Sequence, residues 1–233
     1  MSAMRRTVLA AAAAALLLTG CTGNNDSKKK AEETPEQVLA AAKKTLDETS
    51  GVHFTLDSKN VDAATNGLLS AEGVLTHAPA FDGKIVVQLA GLKPEVPVVA
   101  VDGKVYAQLP LTTGWQPIDP GDYGAPDPAG LMSPDTGLSS MLTATTDVKK
   151  GDSVRGGVGN KEVLTSYEGT LPASSAKVIL PSVSGDVDAT YTVTADDELR
   201  QAVLTGDFYG NGKTETYTVT VDAYGTEKDI KAP

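Results

Sequence analysis

The chain has 233 residues, a formal net charge of −10, one cysteine, two histidines, and only one Trp, seven Tyr and three Phe. This length is enough for one domain of about 200 residues with a buried core. The acidic balance excludes a general nucleic-acid binder, which needs a basic face. One cysteine excludes an intrachain disulfide framework and a cysteine-based zinc cluster. Because aromatic rings are few, the interior is expected to be mainly aliphatic.

Residues 1–20 are expected to be a lipoprotein signal peptide. Arg5 and Arg6 precede an uncharged apolar run over residues 8–18, which is too short to span a bilayer and is typical of a secretory h-region. Leu-Thr-Gly then leads into Cys21, and this order resembles the lipobox in which the cysteine receives a diacylglyceryl group. The alternative is an ordinary signal peptide with a cysteine nearby. Lipidation at Cys21 predicts a plasma-membrane anchor, with the domain on the periplasmic, extracytoplasmic side.

Residues 21–34 are expected to form the lipidated cysteine and a flexible tether, because they contain no large apolar side chain. The Lys28–Lys30 cluster is either solvated or in contact with anionic lipid headgroups. Removal of residues 1–20 takes away Arg5 and Arg6 and no acid, so the net charge of the mature chain changes from −10 to −12. The folded domain is expected over residues 35–233.

The domain begins with a predicted helix. Thr34 can cap it, Pro35 suits the first helical position, and Gln37 completes a capping box. The stop is predicted at residues 49–51. The apolar positions that follow the cap recur at helical spacing and form one stripe: Val38, Leu39, Ala42 and Leu46.

After Gly51 the apolar pattern alternates with period two, which predicts half-buried antiparallel strands. Two-residue hairpin turns are predicted at Asp102-Gly103 and Asn211-Gly212, with a further turn at Asp196-Asp197. About ten strands are expected, at residues 52–57, 69–76, 81–89, 98–101, 105–109, around 154, 163–167, 189–193, 199–208 and 216–223.

Two helical insertions interrupt the predicted strands. Residues 115–128 contain four prolines and are expected to be a loop, with one helical turn at Asp127-Pro128. A longer helix is predicted from Ser133-Pro134, carrying Leu138, Met141 and Leu142 on one face. A short helix is predicted over 173–180. The chain is therefore expected to be a single α+β domain.

Catalysis finds little support in the sequence. His53 lies on the polar side of a strand and His77 precedes a proline turn, and neither has a neighbouring partner for a Ser-His-acid arrangement. Nucleophile-elbow, P-loop, zincin and dinucleotide-binding motifs are absent from the sequence. A hydrolase with paired carboxylates stays open because acids are plentiful. We expect no enzyme activity.

Two groups of oxygen ligands raise the question of calcium, but neither has the spacing of a known calcium loop. The second group surrounds the predicted Asn-Gly hairpin, which explains it without a metal. No metal and no cofactor are therefore expected. The groups are Asp119, Asp122 and Asp127, and Asp207, Asn211 and Glu215.

Segments across the mature chain resemble the actinobacterial LprG/LppX/LprA/LprF lipoproteins. The likeness includes the lipobox at Cys21, the helix that begins TPEQVL, the GVHF strand, the Asp-Gly hairpin and the YEG segment at 167–169. It continues over residues 105–142 through VYAQL, Gly114-Trp115, YGAPDP, Leu131, and Gly137-Leu138 with Met141-Leu142.

This resemblance implies a strongly curved antiparallel sheet, a half-barrel packed over helices as in the LolA and LolB carriers, with a hydrophobic cavity between. It implies binding of acylated lipids or glycolipids, of the triacylated type, and their carriage between envelope membranes. An efflux transporter or an outer-membrane acceptor is the implied protein partner. The alternative is an envelope scaffold lipoprotein with a solid core, because every globular protein has an aliphatic interior.

On this resemblance, the cavity lining is expected from the first helix, from inward strand positions and from the second helical insertion. The register of the hairpin at 102–103 leaves two parities open, Val98 or Val99 with Ala100 or Val101. Each of these side chains fits a packed core as well as a cavity wall. The candidates are Leu39, Ala42, Leu46, Phe54, Leu56, Ile85, Val87, Leu89, Val99, Val101, Leu131, Leu138, Met141 and Leu142.

Overall fold

The structure, a computed structural model, describes residues 33–179 and 181–233. The predicted signal peptide, Cys21 and most of the predicted tether lie outside these described residues. Helix α1 spans Pro35–Glu48, and its capping box is formed as predicted, since Thr34 and Gln37 exchange side-chain hydrogen bonds with each other's backbone N–H groups. Within the described ranges, no helix is long and apolar enough to cross a membrane.

Eleven antiparallel strands form one curved sheet that does not close into a barrel. Their order across the sheet is β6-β5-β4-β3-β2-β1-β11-β10-β9-β8-β7. The strands are β1 Gly51–Lys59, β2 Gly67–Thr76, β3 Ala80–Gln88, β4 Glu95–Val101, β5 Lys104–Ala107, β6 Gln116–Ile118, β7 Thr146–Gly156, β8 Glu162–Leu171, β9 Val187–Val193, β10 Leu199–Gly206 and β11 Glu215–Asp222.

The sheet consists of two meanders joined at one strand pair. Strands β1 to β6 follow one another on one side, β7 to β11 on the other, and β1 pairs with β11 over the register from His53↔Asp222 to Lys59↔Thr216. The long connection between β6 and β7 returns across the concave face. It contains 3-10 helices at Pro120–Tyr123 and Pro128–Met132 and helix α2 at Leu138–Ala144, and the β8–β9 connection contains α3 at Ala173–Ala176.

The helices fill only part of the concave side. Helix α1 packs against α2 and contacts strands β7 and β10, so the two helices cover the β7–β11 half of the sheet. Helix α2 is further held by Ser139, whose Oγ donates to Asp47 at 2.5 Å, and by Lys43, which donates to the carbonyl of Pro134 at 2.5 Å. The 3-10 helix Pro128–Met132 instead contacts β2, β3 and β4. The fold therefore has a helix-packed half and a half bounded by the 120–132 segment.

The predicted sheet is correct in class, and three of its details are wrong. The segment expected to be a loop contains β6, a three-residue edge strand that tolerates Pro117 because it pairs only on its β5 side. Strand β7 is much longer than the single position expected near Val154. Asn211-Gly212 is not a two-residue hairpin: β10 and β11 are separated by residues 207–214, and the Asp207 carboxylate accepts the N–H groups of Asn211 and Gly212.

The hairpin at Asp102-Gly103 forms as predicted. Val101 pairs with Lys104, and both turn residues have positive φ angles, 55° and 68°, as a two-residue turn of this kind requires.

Both later helices are shorter than predicted. Helix α2 begins after Gly137 and not at Ser133, because residues 133–136 form a separate turn and Gly137 has an extended backbone, with φ −92° and ψ −166°. Helix α3 ends at Ala176.

Candidate functional site

A cavity of about 500 Å³ lies on the concave side of the β1–β6 half. Its size falls within the roughly 300–1,000 Å³ of ligand pockets. The 120–132 segment covers it on the side away from the sheet. The lining from the sheet is Phe54, Leu56, Gly67, Leu68, Ala71, Phe81, Ile85, Val87, Gln88, Val96, Val98, Val105, Ala107 and Ile118, and that from connections is Asn66, Leu89, Pro94, Leu109, Pro110, Pro120, Asp122–Pro126, Pro128, Leu131, Ile179, Ser182 and Tyr209.

The cavity wall includes the ring of Phe81, which lies against two glycines that face each other across β2 and β3. Gly73 pairs with Gly83, and a Cβ atom built on either glycine would lie 2.7 Å from an atom of the Phe81 ring. Because neither glycine has a side chain, the ring can lie close to the sheet. The ring thereby takes up less of the space between the sheet and the 120–132 segment.

The polar side chains of Gln88, Ser182 and Tyr209, all part of the lining, form hydrogen bonds within the protein. The Tyr209 and Tyr217 hydroxyls are 2.6 Å apart, and Tyr217 donates to the Leu68 carbonyl at 2.8 Å. Gln88 donates to two backbone carbonyls, and Ser182 donates to the carbonyl of Phe208. Burial raises the pKa of the Tyr217 phenol far above its usual range and that of Tyr209 in the same direction. Both phenols are therefore neutral at physiological pH.

Asp122 is the one charged residue among the lining residues that the structure describes, and it is exposed at the mouth. The mouth lies between the start of β2, the β3–β4 turn, the loop after β5 and the 120–126 segment. The site thus offers a water-poor apolar interior with one negative charge at its entrance. Among the lining residues that the structure describes, Asp122 is the only acid and none is basic.

Six of the fourteen predicted lining residues line this cavity. Four lie on strands β1 and β3 at positions that alternate inward, one follows β3 at the mouth, and one lies on the 3-10 helix above the sheet. These residues are Phe54, Leu56, Ile85, Val87, Leu89 and Leu131.

The helical predictions are corrected. The predicted residues of α1 and α2 are at most 2% exposed and belong to the packed core, not to the cavity. The physical reason is that α1 and α2 pack on each other and on the β7–β11 half. Their apolar side chains are therefore buried in these contacts and do not face the cavity. The residues concerned are Leu39, Ala42, Leu46, Leu138, Met141 and Leu142.

The predicted choice of inward-facing residues in β4, Val99 and Val101, is wrong. Val96 and Val98 line the cavity, whereas Val99 and Val101 alternate to the convex face. The signal that decides this was present: in a two-residue Asp-Gly hairpin Val101 is paired with Lys104, whose charged side chain requires solvent. Val101 therefore shares the outward face. The same reasoning places Val105 and Ala107 inside, where the structure has them.

Several of the acids considered as calcium ligands accept hydrogen bonds from backbone N–H groups. The Asp119 carboxylate accepts the N–H of Gly121 and that of Asp127 accepts the N–H of Ala129, each capping a 3-10 helix. Glu215 is buried and accepts the N–H of Phe208. Among residues 33–179 and 181–233, no cluster of three His, Cys, Asp or Glu side chains could hold a metal ion.

On the convex face, His53 lies between two acids, on the side of β1 opposite to the lining residue Phe54. Its Nδ1 is 2.9 Å from an Asp222 oxygen and its Nε2 is 3.7 Å from Glu72. No serine, threonine or cysteine hydroxyl or thiol is recorded in hydrogen-bond contact with it in the part of the chain that the structure describes. These contacts link β1 with its two neighbours, β11 and β2.

The curved, unclosed sheet with an apolar cavity on its concave side defines a half-barrel fold. Residues 34–232 match the family model described as LppX_LprAFG lipoprotein, and the chain belongs to this family. Proteins named lipoarabinomannan carrier protein LprG, from Mycobacterium tuberculosis and Mycobacterium bovis, are 27% identical over 208 residues, which covers 84% of this chain and 83% of theirs.

Two solved structures share the fold. The crystal structure of LprF from Mycobacterium bovis has a TM-score of 0.69 at 16% identity, covering 85% of this chain and 96% of that one. The crystal structure of Mycobacterium tuberculosis lipoprotein LppX has a TM-score of 0.59 at 17% identity, covering 85% of this chain and all of that one.

Proposed function

We propose that this protein is a lipid carrier that holds an acyl chain of a lipid or glycolipid in the cavity over β1–β6. The observation that carries the proposal is the cavity itself, about 500 Å³ of space with apolar walls and one charged residue at its mouth. Membership of a lipoprotein family and the name of the LprG relatives, lipoarabinomannan carrier, support it. The proposal includes no chemical step, and the protein is not an enzyme on this account.

The physical need for a carrier comes from the cost of moving lipid through water. At about 0.8 kcal/mol per methylene, a chain of sixteen carbons that leaves a bilayer loses more than about 10 kcal/mol. A cavity that replaces the bilayer contacts removes most of this cost. Release into a second membrane then needs no cofactor on the carrier.

The volume sets the size of the enclosed portion of the ligand. A cavity of about 500 Å³ is in the lower half of the roughly 300–1,000 Å³ range of ligand pockets, and we infer that it encloses about one long acyl chain. A lipid of the triacylated type expected from the resemblance has further chains to accommodate. We propose that one chain is enclosed and that further chains of a multiply acylated ligand lie along the mouth.

We further propose that the mature chain is anchored in the plasma membrane through lipidated Cys21, with its domain on the extracytoplasmic side. From there it would pass lipid between envelope membranes, receiving it from or delivering it to an efflux transporter or an outer-membrane acceptor. Support for this location is the N-terminal sequence and the lipoprotein family.

The test is native mass spectrometry of the purified mature chain together with uptake of a fluorescent fatty acid. The expected result is co-purifying lipid at one molecule per protein and saturable uptake after delipidation. Consistent absence of lipid together with no uptake would refute lipid carriage.

Val87→Trp tests the assignment of the cavity. Val87 is in the middle of the lining, so the larger ring is expected to occupy space that the acyl chain needs and to lower lipid occupancy severalfold. Val163→Trp is the matched control, because Val163 is 57% exposed on β8, outside the cavity lining. Equal occupancy in the two variants would contradict the assignment. Circular dichroism of both checks that they are folded.

The scaffold alternative predicts a filled interior and a stoichiometric protein partner. The cavity volume does not fit that interior, because a dry and filled core contains only small voids. Crosslinking in cells that captures one protein at stoichiometric yield from lipid-free protein would favour the scaffold.

A further inference from the structure

Large apolar side chains are concentrated around the cavity mouth on the outer surface of the protein. Six large hydrophobic side chains are exposed in the described part of the chain, and four of them surround the mouth. Leu89 and Tyr123 line the cavity, Leu92 pairs with Leu89, and Leu111 follows the lining residues Leu109 and Pro110. We call Leu89, Leu92, Leu111 and Tyr123 the mouth rim.

The β3–β4 turn holds two of these leucines in fixed positions. Leu89 and Leu92 exchange two backbone hydrogen bonds of 2.9 Å around Ala90 and Gly91, both of which have positive φ angles. Asn66 fixes the turn by accepting the N–H of Ala90. Residues paired in this way project to the same face, and Leu89 faces the mouth. Leu92, 71% exposed, therefore projects beside it.

Leu111 has an energetically unfavourable backbone conformation and an exposed side chain. Its side chain is fully exposed, and its φ of 68° lies in the left-handed region, which disfavours a residue with a Cβ. Thr112 maintains the turn, because its N–H and its hydroxyl both donate to the carbonyl of Leu109. A glycine or asparagine would suit this backbone better. A large apolar side chain that contributes nothing to the core at such a position indicates a contact outside the protein.

We propose that the mouth rim docks on the surface of a lipid bilayer, with its leucines inserted among the acyl chains and the cavity mouth facing them. The proposal rests on the proposed function in one respect, that the mouth is where an acyl chain enters. The rim is continuous with the cavity lining, so a chain that leaves the bilayer there passes from one apolar contact to the next. Tyr123 has the ring and hydroxyl that favour a membrane interface.

The charges near the rim indicate whether electrostatic attraction or apolar insertion drives docking. Lys93, next to Leu92, is exposed and forms no ion pair with the residues that the structure describes, so it is available to a lipid phosphate. Asp122 carries the opposite charge beside Tyr123. Because the mature chain has a net charge of −12, long-range attraction to an anionic membrane is absent. Docking is therefore driven by apolar insertion and is expected to survive high salt.

The experiment uses the mature chain with Cys21→Ser, which lacks an acyl anchor, and vesicles of phosphatidylcholine with and without phosphatidylglycerol. Flotation measures the partition coefficient. Leu92→Asp and Leu111→Asp are each expected to lower it about tenfold or more, because an inserted leucine is replaced by a charge. Val163→Asp is the matched control and is expected to bind like the parent chain, since Val163 is exposed but outside the rim and the cavity lining.

Trp115 gives a second readout. It is the one tryptophan of the chain and lies four residues after Leu111. A nitroxide on the lipid headgroup is expected to quench its fluorescence in the parent chain and in Val163→Asp, and to quench it less in Leu111→Asp. High salt separates docking by the rim from contact through the Lys28–Lys30 cluster, which salt would weaken.

Several outcomes would overturn the docking proposal. They are no flotation of the parent chain with either vesicle, an equal loss in Val163→Asp and Leu92→Asp, or a rim that instead forms a dimer or binds a protein. Uptake of a fluorescent fatty acid from solution is measured in the same variants. If the rim variants still take up fatty acid but no longer float with vesicles, the docking proposal is supported. If no chain takes up fatty acid, lipid carriage is refuted, and docking is judged from flotation alone.

Discussion

Gly73→Ala tests whether the backbones of β2 and β3 need two facing glycines. A Cβ on Gly73 would lie 2.6 Å from the carbonyl oxygen of Asp82 and 2.8 Å from the Cα of Gly83, in addition to the Phe81 ring. The ring can rotate away. The two backbone atoms belong to the paired strand and move only if the strands separate.

The expected cost follows from that geometry. Carbon–oxygen contacts shorter than about 3 Å are strongly repulsive, so the strands must shift by a few tenths of an ångström or more at the centre of the β2–β3 ladder. Overpacking of this kind costs about 3 kcal/mol when backbone has to move. In a domain of this size, that free energy corresponds to a fall in Tm of about 6–12 °C.

Thermal unfolding followed by circular dichroism measures the effect in delipidated protein. Gly185→Ala is the control, because a Cβ at Gly185 meets no atom within 4 Å and its φ is not in the left-handed region. It is expected to leave Tm unchanged or to raise it slightly through the unfolded state. A Gly73→Ala protein with the Tm of the Gly185→Ala protein would refute the steric account of the glycine pair.

Three further substitutions probe the helix-packed half and its edges. Burial raises the pKa of Tyr191 to about 12, and the hydrogen bond with Thr145 opposes this shift. The stability that the neutral phenol contributes is complete below about pH 10 and is lost as pH rises toward the pKa of the folded state. Tyr191→Phe should therefore flatten the alkaline fall of the free energy of unfolding, measured by urea titration. Arg200 donates to Glu162 at 2.7 Å and holds the pKa of that carboxyl below its usual range. The stability that this pair contributes is lost as pH falls through the lowered pKa, so Glu162→Gln should reduce the loss of stability in acid by less than about 1 kcal/mol. An unchanged dependence of stability on acidic pH would contradict this. Thr34→Ala removes the cap of α1 and should cost about 1 kcal/mol, with Thr34→Asp retaining Tm.

The parts of the fold that local chemistry determines were predictable from the sequence. The capping box at Thr34 and Gln37 and the turn at Asp102-Gly103 depend on residues within a few positions of each other, and both form. The alternation at Phe54, Leu56, Ile85 and Val87 likewise needs only the two-residue period of a strand, and all four line the cavity. Leu89 also lines it, but from the turn after β3, where the strand period no longer applies.

The parts that depend on long-range placement were not predictable in the same way. The stripe of α1 shows that Leu39 is buried, but not which half of the sheet buries it. Only the packing of α1 on α2 and β7 decides that the stripe belongs to the solid core. Strand β6 was missed because Pro117 argues against a strand, and only its edge position beside β5 permits it.

The pairing of β1 with β11 makes completion of the sheet depend on two strands that are far apart in the sequence. His53 is paired with Asp222, 169 residues later, and among the strands that the structure describes no other pair joins the two meanders. Until β11 pairs with it, β1 is an exposed edge and the two halves of the sheet share no hydrogen-bonded strands. Contacts of such sequence separation slow folding. A chain truncated before Glu215 would therefore keep most of its strands and lose the strand pairing between the half that contains the cavity and the half that packs on the helices.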